Sequence, residues 1–179
     1  SPSPEIEATF GPIMDFTLNL EGRPSNKQSA KIFVGISEGE ITTNPKYLLT
    51  FTIDLPDDGK FPNLSLAGLT SGNRYTAYLK GPTQIATAST FTMSGFVTHL
   101  NDSQLLIALS GDLNDDNIIN DADLTIAKSG NKNADFNLDG TVNSLDFSFI
   151  IKNMNKIGAS GLWTSQPPKP TGGTGILIP

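Results

Sequence analysis

The chain has 179 residues, 37% of them hydrophobic, a formal net charge of −6 and no cysteine. This is enough apolar material for one ordinary domain and a small second one. It excludes disulfides and thiolate metal sites, and it leaves no basic excess to attract nucleic acid or anionic lipid. No apolar run approaches the ~20 residues of a membrane-spanning helix.

Residues 1–8, opening Ser1-Pro2-Ser3-Pro4-Glu5, read as an extended N-terminal segment. A start at Ser1 rather than Met suits a mature product after signal-peptide removal, so a secreted, surface-associated location is expected. From residue 9 to 110 the pattern alternates. Phe16, Leu18 and Leu20 recur at period two, as do Ile32, Val34 and Ile36, then Leu49, Phe51 and Ile53, then Tyr75, Ala77 and Leu79. Phe91 with Met93, and Leu105 to Leu109, add two more segments. Between them stand turn signals such as Glu21-Gly22-Arg23-Pro24, Asp57-Asp58-Gly59, Ser71-Gly72-Asn73 and Gly81-Pro82. Six to eight short strands at this spacing predict an antiparallel β-sandwich and a mainly β fold.

Within it, Asp57-Asp58-Gly59-Lys60-Phe61 and Leu69-Thr70-Ser71-Gly72-Asn73-Arg74-Tyr75 resemble the pattern of prealbumin-like, carboxypeptidase-regulatory-type sandwich domains of bacterial surface proteins. That resemblance implies an Ig-like or prealbumin-like spacer or adhesion domain without catalysis. Asp57 and Asp58 read first as hairpin-turn residues, with a third cation site as the alternative. His99, the sole histidine, reads as a structural strand residue. No serine-nucleophile, zinc-protease or phosphate-loop motif is present, and no enzyme activity is expected.

Residues 111–158 carry one acidic pattern twice. Asp112, Asn114, Asp116, Asn120 and Asp123 align with Asp135, Asn137, Asp139, Asn143 and Asp146, at positions 1, 3, 5, 9 and 12 of a twelve-residue loop. Calcium takes six to eight oxygens, and short Asp and Asn side chains on alternate residues of a tight loop deliver them. Position 7 adds a backbone carbonyl, from Ile118 in one copy and Thr141 in the other, and position 9 acts through water. Two calcium ions are therefore expected. Position 6 demands a positive φ, which Gly140 adopts freely and Asn117 tolerates. Ile119 and Val142, at position 8, are expected to pair across the two loops. Each copy precedes a helix: the first is cut short by Ser129-Gly130, and the second is expected from Phe147 for about ten residues, ending near Gly158. From Asp112 to Gly158 there are eight Asp and four Lys, a balance of −4 that two calcium ions would neutralise.

Over these residues the sequence resembles a dockerin, the calcium-binding doublet of secreted bacterial proteins. The resemblance implies a small α-helical pair of F-hand loops, each lacking the entering helix of a full EF-hand, and docking onto a cohesin module. Positions 10 and 11 hold Asp121-Ala122 and Ser144-Leu145, where cohesin-reading members often carry Ser-Thr. The partner therefore stays open. Residues 159–179 form a Pro/Gly-rich tail in which Trp163 and Ile176-Leu177-Ile178 are natural anchors, either on this chain's own sandwich or on a neighbour's sheet edge.

The function expected is a non-catalytic, extracellular calcium-binding assembly protein whose locked doublet shapes a protein–protein contact. A self-assembling filament or tube is the first reading, and a module docking on a cohesin-like partner is the alternative. A glycan-binding sandwich is the third, and it requires a row of exposed aromatic side chains.

Overall fold

In the computed structural model the described residues are 11–163. The expected N-terminal segment and the Ile176-Leu177-Ile178 anchor lie outside them. Eight strands make two four-stranded sheets among the described residues. They are β1 (Ile13–Leu20), β2 (Ala30–Glu38), β3 (Tyr47–Leu55), β4 (Lys60–Ser65), β5 (Arg74–Lys80), β6 (Thr87–Thr92), β7 (Val97–His99) and β8 (Leu105–Ala108). One sheet centres on β1, with β4 on one side and both β7 and β8 on the other; the second runs β3-β2-β5-β6. The period-two stripes face each other across this sandwich. Met14, Phe16, Leu18 and Leu20 meet Ile32, Val34, Ile36, Ala77 and Leu79 in one buried cluster. Each large side chain so buried is worth about 1.5–3 kcal/mol before entropy is counted.

The eight strands fall within the six to eight expected; all six patterned segments form strands, and the other two carry too little pattern to be placed from sequence. β4 contains Pro62, which has no N–H for a ladder and is tolerated because β4 pairs only β1 among the described residues. β7 has three residues. The expectation of a wholly antiparallel sandwich needs correction. β7 and β8 run parallel to β1. A parallel neighbour needs a long crossover, and the passage of the chain through the other sheet provides it.

The outer face of the second sheet is not solvated. Ile32 through Ser37 are all buried, and so are Thr76, Tyr78 and Lys80 on the outward side of β5. An aromatic layer covers them. Phe33 lies edge-on to Tyr47 at 5.4 Å and to Trp163 at 5.2 Å, and Tyr47 lies edge-on to Tyr78 at 5.8 Å. A Cβ at Gly35 would stand 2.5 Å from the Tyr47 ring, so only glycine lets this layer sit down. The Trp163 end of the tail thus folds back on its own sandwich.

The acidic segment forms α1 (Asp121–Lys128) and α2 (Ser144–Lys152) around a second buried cluster of Ile119, Ala127, Ala134, Phe136 and Ile150. Asn120 and Asn143 cap the helices, each with an Asp at the third helical position reaching back to complete a capping box. The second helix therefore starts three residues earlier than expected and stops at Lys152. The chain beyond it is used differently. The bridge expected between Ile119 and Val142 does not form. Ile118 instead bridges Ile157, with Ile119 N–H donating to the Lys156 carbonyl at 3.0 Å. Residues 155–157 reach the first loop before Val142 can, because α2 ends early enough to turn them back across it.

The two units interlock. Ile85 of the sandwich belongs to the second cluster. Phe149 of α2 sits on Gly22, where an added Cβ would lie 2.8 Å from the ring. Glu21 accepts from the Ser110 amide at 3.1 Å, from Asn153 Nδ2 at 2.7 Å and from Lys152 Nζ. Burial opposes the Glu21 charge, but these donors prevail and hold its carboxyl below the usual range.

Candidate metal centre in two acidic loops

The two loops share one hydrogen-bond pattern, although they differ in most apolar residues. At position 1, Asp112 accepts from the amides of Asp116 and Asn117 at 3.1 and 2.9 Å; Asp135 accepts from those of Asp139 and Gly140 at 3.1 and 2.8 Å. At position 5, Asp116 and Asp139 accept from the amides of Ile118 and Thr141. At position 12, Asp123 accepts from the amides of Leu113 and Asn120, and Asp146 from those of Phe136 and Asn143. At position 9, Asn120 and Asn143 accept from Ala122 and Leu145. The backbone holds each side chain in place, and oxygens that receive a single amide, such as Asp112 Oδ1, Asp116 Oδ1 and Asp123 Oδ2, keep a second lone pair for a cation; Asp123 Oδ1 takes two amides and Asp112 Oδ2 an amide and the Lys80 ammonium.

Backbone conformation repeats as well. Asn117 and Gly140 have φ of 67° and 91°, as position 6 requires. Position 4 is left-handed too, at Asp115 (63°) and Leu138 (57°); aspartate tolerates that region, whereas a leucine gives no sign of it in sequence.

Convergence differs between the loops. Carboxylate oxygens of Asp112, Asp116 and Asp123 all lie within 4.8 Å of one another, the single such acidic group among the described residues. Asp135, Asp139 and Asp146 do not gather so closely, and Asn137 Nδ2 donates to Asp139 Oδ2 at 3.1 Å. Asp112, Asp123 and Asp146 are fully buried. Burial pushes the Asp112 carboxyl up to about 6, against the pull of Lys80 and the Asn117 amide. It also raises Asp123, against amide bonds from Asn120, Leu113 and Asn114. An all-oxygen cluster of three carboxylates, two buried and Asp116 partly so, is the donor set of a hard divalent cation such as calcium, with the Lys80 ammonium on the outer oxygen of Asp112. The Asn114 and Asn137 side chains and the Ile118 and Thr141 carbonyls stand at the matching positions of each loop.

The sequence gives no hint of one participant. Lys80, at the end of β5, is almost wholly buried, and its ammonium lies 3.0 Å from Asp112 Oδ2 and 2.6 Å from Asp115 Oδ1. It also donates to the carbonyls of Gly81 and Gln84, at 3.2 and 2.8 Å, and sits 5.3 Å from the Trp163 ring centre. A lysine on the same face as Thr76 and Tyr78 would betray its burial only to a reader who knew that this outer face is covered. Asn117 also does more than turn the chain. Its Oδ1 accepts from the Ala86 amide at 2.7 Å, and its Nδ2 donates to Ser160 Oγ and to the Gly161 carbonyl at 3.2 and 2.6 Å.

The remaining expectations sort simply. Asp58 Oδ1 accepts from the Lys60 amide at 3.0 Å, and Gly59 has φ 74°, so this pair makes a turn. His99 Nδ1 lies 2.7 Å from Asp15 Oδ2 across neighbouring strands. None of Trp163, Tyr47, Tyr75 and Tyr78 is exposed, which removes the aromatic row a glycan-binding face requires.

No family model matches the chain, and no curated protein matches it. Among solved structures it is similar to chains in two crystal structures of interface mutants of a type II cohesin–X-dockerin complex from Acetivibrio cellulolyticus. For the C-terminal interface mutant the TM-score is 0.57 at 17% identity, over 83% of this chain and 98% of that one. For the N-terminal interface mutant it is 0.56 at 15% identity, with the same coverage. The likeness is one of fold: mainly β, two facing sheets and two helices.

Proposed function

We propose that this chain is a non-catalytic docking module of an extracellular protein, in which two calcium ions fix residues 111–158 as a surface for a protein partner of the cohesin kind. The observation that carries this reading is the repeated bond pattern around Asp112, Asp116 and Asp123 and around Asp135, Asp139 and Asp146. Asp112, Asn114, Asp116, Ile118, Asn120 and Asp123 would hold one ion, and Asp135, Asn137, Asp139, Thr141, Asn143 and Asp146 the other. Bound calcium neutralises carboxylates that otherwise repel each other inside each loop. At calcium one hundredfold above the dissociation constant, each site would add about 2.7 kcal/mol to folded stability. α2 presents Leu145 and Ile151, both 60% exposed, on the side left open by the sandwich. Exposed apolar residues on a helix that the ions position are suited to a docking contact. The structural likeness to a chain of a cohesin–X-dockerin complex supports the same reading, since it reaches beyond the sandwich alone.

A filament or tube built from copies of the chain is the second reading. It draws on an uncharged sheet edge along β6, Thr-Ala-Ser-Thr-Phe-Thr. Calorimetry and electron microscopy decide between them. The docking reading expects a monomer that takes up two calcium ions and binds immobilised cohesin only when they are present, with Asp135→Ala reducing uptake to one. Filaments that vanish on chelation would replace it with the polymer. A monomer that takes up calcium yet ignores cohesins would refute the partner assignment and leave the metal assignment standing.

A further inference from the structure

Tension enters the sandwich at two opposite ends. On the N-terminal side it enters at the start of β1, where Ile13 N–H donates to the Phe96 carbonyl at 2.9 Å. Residues 111–158 are tied to the other end. Glu21 follows β1 and Ser110 follows β8, and both accept from Asn153 Nδ2, at 2.7 and 2.9 Å. Lys80 closes β5 and meets Asp112, and Ala86 precedes β6 and donates to Asn117. β8 runs into the acidic segment directly through residues 109–111. A pull on that segment therefore draws β8 by its C-terminal end, whereas a pull from the N-terminal side draws β1 by its N-terminal end. Because β1 and β8 are parallel, the two pulls oppose each other along one strand axis.

That geometry loads the whole ladder at once. One side of β1 is tiled along its length: Ile13–Asp15 face Val97–His99 of β7, and Thr17–Leu20 face Leu105–Ala108 of β8. On the other side Ile13, Met14, Phe16 and Thr17 pair with β4. Leu18 N–H also donates to the Gly59 carbonyl at 2.8 Å, and Glu21 N–H to the Ala108 carbonyl at 3.0 Å. These bonds lie across the pull, so they must yield together, whereas a strand peeled from its end sheds them one at a time. The core adds to the resistance. Met14, Phe16, Leu18 and Leu20 are at most 2% exposed. A slip of one residue would turn them all to the solvent face, and a slip of two would carry each about 7 Å from its packing site.

The acidic segment has the opposite geometry. Residues 155–163 run antiparallel to residues 116–119, with Ile118 bridging Ile157. Trp163 N–H donates to the Asp116 carbonyl at 3.0 Å, Gly158 N–H to that of Asn117 at 2.8 Å, and Ile119 N–H to that of Lys156 at 3.0 Å. A pull at Trp163, against a first loop held through Asp112, opens these bonds in turn. We propose that the sandwich is a load-bearing clamp: tension between its N-terminal side and residues 111–158 is carried by β1 sheared against β8, β7 and β4, and tension applied beyond Trp163 opens the acidic segment before the sandwich. Resistance to force is set by the unfolding barrier and the direction of pull, not by equilibrium stability. This inference is independent of the calcium sites and of any partner at α2.

Because the native chain has no cysteine, engineered handles can choose the direction of pull. One full-length protein carries Gly11→Cys and a second handle at its C-terminus. Another carries Gly11→Cys with Gln104→Cys, which puts both handles at the end of the sandwich where β1 and β8 begin, so that the same ladder is peeled. Both positions are exposed, and no atom lies within 4 Å of a Cβ added at Gly11. The two proteins are stretched by atomic force microscopy at one loading rate in millimolar calcium. The first is expected to lengthen in two steps, about 175 Å from some ~50 residues of the acidic segment and then about 350 Å from the ~100 of the sandwich. Its second step is expected at about twice the force, or more, that opens the sandwich in the other protein. Equal forces in the two directions would overturn the clamp, and so would a sandwich that opens before the acidic segment.

Discussion

The two acidic loops are made to one pattern and set in two environments. The first is built into the sandwich. Lys80 grips Asp112 and Asp115, Asn117 ties the loop to Ala86, Ser160 and Gly161, and Trp163 closes over it. The second has no such attachment: Asp139, Gly140 and Thr141 are bonded within the loop, and no atom would meet a Cβ added at Gly140 within 4 Å. Ligand spacing therefore specifies the loop, whereas the surroundings decide what holding it together costs. The first loop has a resident cation from the sandwich even before calcium is considered. In the second, the donors to the carboxylates are backbone amides and Asn137 Nδ2.

Removing the resident cation should have the largest effect. Lys80→Met leaves Asp112 buried without a counter-charge, and breaking a buried pair from one side costs about 3–5 kcal/mol. In the absence of calcium the melting temperature should fall by roughly 6–15 °C for a chain of this size. Calcium should restore more stability to this variant than to the native protein, as scanning calorimetry with and without chelator would show. Equal melting temperatures for the two chelated proteins would mean that Lys80 does not carry the first loop.

Position 6 sharpens the contrast with matched substitutions. Asn117→Ala loses three buried hydrogen bonds and strands the Ala86 amide, so about 2–3 kcal/mol should be lost. Gly140→Ala meets only the strain of a left-handed residue, about 1–2 kcal/mol. Denaturant melts should rank them in that order, and the reverse order would deny the first loop its structural role.

Acidity gives the smallest and most specific effect. Asp112 titrates near 6 in the folded protein, above its unfolded value. Between that pH and about 4 the folded form binds the extra proton, so in the chelated protein this group favours folding more as the pH falls through 6. Calcium needs the ionised carboxylate, so affinity at the first loop should decline over the same interval. A calcium titration of Asp135→Ala, which isolates the first loop, tests it at pH 7 and pH 5. Unchanged affinity would show that Asp112 is not a ligand.

Much of this was legible in the chain. The β1, β2, β3 and β5 stripes follow from alternation because one face of each strand meets the core. The shared hydrogen-bond pattern of the two loops follows from Asp and Asn at the same offsets in each copy. What could not be read depends on contacts far apart in sequence. Lys80 and Asp112 are 32 residues apart, and nothing local in Tyr-Leu-Lys-Gly-Pro distinguishes a buried ammonium from an exposed one. The parallel course of β7 and β8 is set by where the chain re-enters the first sheet. The bridge from Ile118 to Ile157 depends on where α2 stops, at its cap Asn153, whose side chain donates to Glu21 and to the Ser110 carbonyl.

The most direct measurement is a calcium titration of the full chain followed by the amide signals of Asn117 and Gly140, each of which donates to the position 1 aspartate of its loop. Uptake of two ions, with both signals moving and the Gly140 segment gaining the greater order, is the predicted result. No uptake at millimolar calcium, or uptake that leaves both amides unmoved, would contradict the assignment of these loops as calcium sites.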